Sequence, residues 1–211
     1  MREQVAWLYG AAAARGLITG SSGNVSARTA DGMVITPSGG DPSSVTAADL
    51  ASVTMDGVAL DAATPSSEWA MHAAVYRECP EAGFVVHTHA DACTALACLG
   101  SGLPAFHYMV LQFGGSDVRC APYVTFGTPA LARLAGEAIR GRTACLLANH
   151  GMIVSGNTAD GALAASVLLE TLCRQYLLAL SAGTPRLLDE QQMLDARERF
   201  KTYGPRDSSG G

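Results

Sequence analysis

Three of the chain's five histidines stand where strand geometry could bring them together. His87 and His89 lie two apart in Phe84-Val85-Val86-His87-Thr88-His89. That run reads as a strand, and alternation puts both rings on one face. His150 stands in Asn149-His150-Gly151, between the strand-like runs 144–148 and 152–155. Three imidazoles with an open fourth position describe a catalytic zinc site rather than a closed structural one. Spacing alone leaves open whether His150 reaches the other two. A lone His-x-His pair is more often two unrelated side chains. His72 and His107 are the competing ligands. His72 follows Glu68 by four residues, so the two share a helix face. Such a pair can bind metal but more often makes a local hydrogen bond.

Three glycine- and serine-rich segments could seat an anion. They are Gly20-Ser21-Ser22-Gly23-Asn24-Val25-Ser26, Thr36-Pro37-Ser38-Gly39-Gly40 and Pro65-Ser66-Ser67. Glycines let backbone N–H groups turn toward a phosphate, hydroxyls add donors, and a helix start adds a positive dipole end. Taken singly, each cluster reads equally well as a turn. No P-loop and no GxGxxG is present, so nucleotide binding has little support. Glu68 directly follows Ser66-Ser67. In a first helical turn its carboxylate suits the dipole. Facing a metal, it is placed to move a proton.

The elements around these residues follow from punctuation. Helices are expected over 3–15, 68–79, 91–99, 129–140, 158–182 and 189–200. Strands are expected over 23–28, 33–36, 51–55, 58–60, 84–89, 144–148 and 152–155, with short ones near 107–111 and 118–121. Asp31-Gly32 and Asp56-Gly57 are hairpin turn pairs, and Thr46-x-x-Asp49 predicts a capped helical turn. Thr128-Pro129 caps and opens a helix. Two hairpins and mixed spacing argue against an all-parallel doubly wound sheet. The 158–182 helix is apolar nearly all round and is read as partly buried against another subunit. Glu170, Arg174 and Gln175 argue against its spanning a membrane.

Composition narrows the classes further. The 211 residues are 48% hydrophobic and 16% charged, which excludes a mostly disordered chain. The net charge of −5, with no basic run, argues against a nucleic-acid partner. Six cysteines without a CxxC pair argue against a zinc ribbon. The polar first sixteen residues do not resemble a signal peptide. A cytoplasmic protein with reduced thiols is the expectation. There is no repeat and no linker, so 1–211 is read as one α/β domain.

Taken together, the motifs resemble the class II aldolase/adducin family over most of the chain, from about residue 3 to Pro205. The resemblance rests on Gly23-Asn24-Val25-Ser26, Ile35-Thr36-Pro37-Ser38-Gly39, Pro65-Ser66-Ser67-Glu68-Trp69, Val86-His87-Thr88-His89-Ala90, His107-Tyr108-Met109, Cys120-Ala121-Pro122-Tyr123, Phe126-Gly127-Thr128, Asn149-His150-Gly151 and Phe200-Lys201-Thr202-Tyr203-Gly204. It implies a three-layer fold with a central, mainly antiparallel sheet flanked by helices. It also implies a homotetramer with its sites at subunit interfaces. His87, His89 and His150 take the places of ligands to one Zn2+ per chain, and Glu68 that of the acid/base. Asn24, Ser38, Gly39, Ser66 and Ser67 match positions that hold the substrate phosphate. Tyr108 matches a proton donor acting across a subunit boundary. Tyr203 lies in a tail, about 189–211, that closes over the site.

The implied reaction is reversible cleavage of a short deoxyketose 1-phosphate to dihydroxyacetone phosphate and an aldehyde. L-fuculose 1-phosphate or a 5-deoxypentulose 1-phosphate is the expected substrate. Lys201 is the single lysine, and the mechanism needs no lysine Schiff base. Other branches of the family offer a methylthioribulose-phosphate dehydratase, which keeps glutamate at position 68, and a sugar-phosphate 4-epimerase, which carries aspartate there. A non-catalytic scaffold like the adducin head is the third reading, and that head lacks the three histidines. Leu111-Gln112-Phe113 depart from the smaller residues of the fuculose-phosphate branch.

Overall fold

Helix α1 (Arg2–Ala14) leads into the hairpin of β1 (Gly23–Arg28) and β2 (Met33–Ile35), then β3 (Ala51–Val53). Helix α2 (Trp69–Glu78), β4 (Phe84–Thr88), α3 (Asp91–Cys98), a 3-10 helix at Tyr108–Phe113 and β5 (Cys120–Ala121) follow. The chain continues through α4 (Pro129–Ile139), β6 (Ala144–Leu147), β7 (Gly151–Gly156), α5 (Ala159–Ala182) and α6 (Glu190–Phe200). This is a computed structural model, and it describes residues 1–202.

All seven strands form one sheet, ordered β3-β2-β1-β4-β7-β6-β5. Its neighbours are antiparallel except β5 and β6. Alternation sorts the strand residues into two cores. Val25, Ala27, Phe84, Val86, Leu146, Met152 and Val154 face one side, where α1, α3 and α5 pack. Val85, Cys145, Leu147 and Ile153 face the other, against Met71, Val75 and Tyr76 of α2 and Leu131 and Ala135 of α4. Central strands buried on both faces explain the unbroken apolar runs at 84–86 and 144–148. His87 shares parity with Val85, so it points to the α2 side.

Four local expectations change. The segment 107–111 is helical, not a strand. The His107 side chain accepts the Met109 N–H, and Val110 and Phe113, three apart, are buried, a spacing that suits a 3-10 turn. Residues 58–60 make a single bridge, Val53 to Ala59, rather than a strand. Thr46 donates its N–H and hydroxyl to Asp49, but the segment is a turn. Glu68 is the N-cap of α2 rather than its first helical residue, and its side chain makes no cap hydrogen bond.

Helix α5 is long and apolar enough to cross a membrane by length and composition alone. Its first half packs under the sheet, with Leu163 and Leu169 buried, as are Leu172 and Cys173 just beyond it, while Leu178 and Leu180 are exposed. Within that buried half, Glu170 accepts the Ala92 N–H and, at 2.9 Å, the Cys93 N–H. It thus supplies α3 with the N-terminal partner that Ala90 cannot. Replacing Glu170 with alanine strands those N–H groups in the core, at a cost of about 2–3 kcal/mol. Glu170→Ala should lower the denaturant midpoint accordingly, measured by urea unfolding against the parent chain.

Candidate metal and proton-transfer site

The three histidines meet where β4 ends and β7 begins. Register pairs His87 with Ile153 and Thr88 with Met152, which brings the turn before β7 alongside the end of β4. His89 lies just past β4. His150 sits in the turn between β6 and β7. Asn149 there adopts φ 53°, a left-handed value that asparagine tolerates. A Cβ on Gly151 would stand 2.3 Å from the Thr88 carbonyl oxygen. Glycine is therefore required for the strands to close.

The ring centroids stand 4.8–5.0 Å apart. Their facing nitrogens all lie within 4.8 Å of one another. The His87 and His89 Nε2 atoms are 3.2 Å apart. Two ligands of a tetrahedral zinc would be about 3.3 Å apart, given bonds near 2.0–2.1 Å. The His87 Nδ1–H donates to the Met152 carbonyl at 2.8 Å. That bond leaves Nε2 with its lone pair turned inward, the usual outer support of a metal-bound imidazole. Burial pushes His89 below the ordinary histidine range and His150 down to about 4. Both are then neutral at pH 7, the form that ligates.

Glu68 stands beside them. Oε2 lies 3.2 Å from His87 Nε2, and Oε1 lies 3.3 Å from His150 Nε2. Asn24 donates Nδ2–H to Oε2 at 2.9 Å. Burial raises the Glu68 pKa, but His87, His150 and the Asn24 amide outweigh it and hold the carboxyl well below its usual range. Oε1 is buried with no hydrogen-bond partner. Three converging imidazole nitrogens, a nearby carboxylate and that orphaned oxygen suit a divalent cation. Among the described residues this is the cluster of histidine, cysteine and acidic side chains arranged to hold one.

A cleft of about 410 Å³ opens beside the histidines. Ser38, Gly39, Ser66, Ser67 and Asn24 line it, so the structure brings all three glycine- and serine-rich segments to one place. The second and third are tied by the Ser66 N–H to the Thr36 carbonyl and the Ser38 N–H to the Thr64 carbonyl. Asn24 is almost fully buried, and its amide is already engaged by Glu68 and His72. Among the described residues no lysine or arginine lines the cleft. Tyr123 and Phe126, both exposed, stand at its mouth and were not among the sequence candidates. Their only signal was membership of two family motifs.

Two other histidines stay outside the cluster. His72 is fully buried and bonds to Asn24 and Ser26. His107 caps the 3-10 helix and stacks on Tyr108 with centroids 4.6 Å apart. Tyr108 is exposed and lines a separate groove with Met109, Gln112, Ala196, Arg199 and Phe200. Tyr203 lies outside the described residues.

The sequence model described as Class II Aldolase and Adducin N-terminal domain matches residues 3–177. A 5-methylthioribulose-1-phosphate/5-deoxyribulose-1-phosphate aldolase of Rhodospirillum rubrum is 46% identical over 90% of this chain and 86% of its own length. The L-fuculose phosphate aldolase of Escherichia coli K12 is 40% identical over 90% and 89%. A solved L-fuculose 1-phosphate aldolase superposes with a TM-score of 0.90 at 34% identity, covering 95% of each chain. With these matches and this site, the chain belongs to the class II aldolase and adducin family.

Proposed function

We propose that the protein is a metal-dependent class II aldolase. It reversibly cleaves a short deoxyketose 1-phosphate, either L-fuculose 1-phosphate or a 5-deoxypentulose 1-phosphate, to dihydroxyacetone phosphate and an aldehyde. The observation that carries this reading is the meeting of three imidazoles and Glu68 at the end of a cleft built from three anion-suited loops. The activities in the relatives' names support the same reaction class. Three nitrogen donors with an open position favour Zn2+, held by His87, His89 and His150. Bound there, the cation supplies Lewis-acid charge for the carbonyl and hydroxyl oxygens of the substrate.

The chain's own residues do the rest. Ser38, Gly39, Ser66, Ser67 and Asn24 orient the phosphate. In the synthetic direction Glu68 takes a proton from C3 of dihydroxyacetone phosphate. The electron pair left behind forms the enediolate, which attacks the aldehyde carbon and makes the new C–C bond. Tyr108 gives its proton to the resulting alkoxide, and cleavage runs the same steps backward. Tyr108 lines a groove separate from the cleft of its own chain, so we assign it to a neighbouring copy's site. This requires an assembly, for which we propose a homotetramer in the cytoplasm. We propose that the tail carrying α6 closes over the site within that assembly.

The test is release of dihydroxyacetone phosphate in a coupled assay with several ketose 1-phosphates. Release from none of them removes the reading. Product identification by NMR separates aldolase from dehydratase or epimerase, since neither of those frees a three-carbon phosphate. Elemental analysis should find about one zinc per chain, and finding none would favour a scaffold.

Glu68→Gln should keep its metal and lose about 10²- to 10⁴-fold in rate, the usual worth of a positioned base. His150→Ala should lose metal as well as activity, read by elemental analysis beside kcat. Tyr108→Phe should turn over more slowly with inhibition by inorganic phosphate unchanged. Full turnover by Tyr108→Phe would leave the proton donor elsewhere.

A further inference from the structure

A row of buried polar side chains runs from the core to Glu68. The Tyr76 hydroxyl is 2.8 Å from Ser26 Oγ, which is 2.7 Å from His72 Nδ1. His72 Nε2 is 2.6 Å from Asn24 Oδ1, and Asn24 Nδ2 is 2.9 Å from Glu68 Oε2. Every member is buried, with His72 and Ser26 fully so. The row arises from two matched periods. Asn24 and Ser26, two apart on β1, face α2, while Val25 and Ala27 face the other core. His72 and Tyr76 are four apart on α2. Two strand residues rise about 6.6 Å and four helical residues about 6 Å, so the rungs stay aligned.

Its polarity is forced from one end. Glu68 Oε2 accepts from Asn24 Nδ2, so the Asn24 amide turns its NH2 toward Glu68. Its Oδ1 then faces His72 and only accepts, so His72 carries its hydrogen on Nε2. Burial keeps that ring neutral, with its pKa pushed down to about 3. Nδ1 must then accept from the Ser26 hydroxyl, and Ser26 accepts from Tyr76. Turning over the Asn24 amide would break two buried hydrogen bonds, each expensive to leave unmade. The same arrangement pins Oε2 of Glu68 and leaves Oε1 without a hydrogen-bond partner.

We infer that His72 is a positioning residue for the aldol reaction. Held by Ser26 and Tyr76, it locks the Asn24 amide so that Glu68 presents Oε1 as its basic oxygen. The inference rests on the proposed role of Glu68, and it assigns Asn24 to the base as well as to the phosphate loops.

The test compares His72→Gln with His72→Asn in the metal-loaded enzyme. Glutamine can place an N–H where His72 Nε2 stands, and asparagine reaches only the Nδ1 place. The readout is exchange of the C3 proton of dihydroxyacetone phosphate into D2O without aldehyde, which isolates the Glu68 step. His72→Asn should slow that exchange at least tenfold, with KM for dihydroxyacetone phosphate changed less than twofold. His72→Gln should recover most of the rate. Equal rates for the two variants, or a loss confined to KM, overturn the inference. Ser26→Ala, a smaller change, should slow exchange severalfold at the same KM, and an unchanged rate again overturns it. A second readout needs no metal: the 15N spectrum of the metal-free protein should show His72 as the neutral Nε2–H tautomer, and an Nδ1–H tautomer would overturn the assignment. If Glu68→Gln itself exchanges at the parent rate, the role of Glu68 fails. If only the His72 comparison fails, that role stands and the positioning does not.

Discussion

The antiparallel register between β4 and β7 is the constraint on which the rest of the molecule depends. It sets Thr88 opposite Met152, and so brings the Asn149-His150-Gly151 turn beside His87 and His89. A slip of one residue would turn His87 from the α2 side to the α5 side. The register is held by what each face buries. Phe84 and Val86 must reach one core while Val85 reaches the other. Hydrophobic burial thus fixes the position of three polar rings that contribute little to it. Gly151 completes the arrangement by letting β7 start against the Thr88 carbonyl.

Much of this was legible in the sequence because it depends on short-range pattern. Alternation in 84–89 placed His87 and His89, and Thr128-Pro129 announced α4 by its cap. What failed was local chemistry competing with pattern. The apolar run 107–111 reads as a strand, yet His107 accepting the Met109 N–H starts a 3-10 helix there. The relation of His72 to Glu68 was also only half visible. Their four-residue spacing pointed to a direct local bond, but Asn24, distant in sequence, stands between them. Contacts through a third residue on another element leave no trace in spacing. Tyr123 and Phe126 were missed for a related reason: an exposed aromatic on a loop carries no period to read.

The site also shows how the fold handles charge. Glu68 and its surroundings are buried, where a lone ion is costly. The carboxylate is compensated by His87, His150 and the Asn24 amide. Behind Asn24 the His72, Ser26 and Tyr76 side chains each have a hydrogen-bond partner, which offsets the cost of burying them. The single buried oxygen of Glu68 without a partner faces the place where chemistry is proposed. Unsatisfied valence is confined to the working end of an otherwise closed network.

Among the described residues the cleft is lined by serines and glycines and by no lysine or arginine. These loops would grip a phosphate seated there through short, directional dipoles. Such a grip is barely screened by added electrolyte, so the loops' own share of phosphate binding should change little with ionic strength. Discrimination would then follow from the number and direction of the acceptor oxygens rather than from total anionic charge. Distant anions would receive no electrostatic guidance from these loops, and capture would wait for a close encounter.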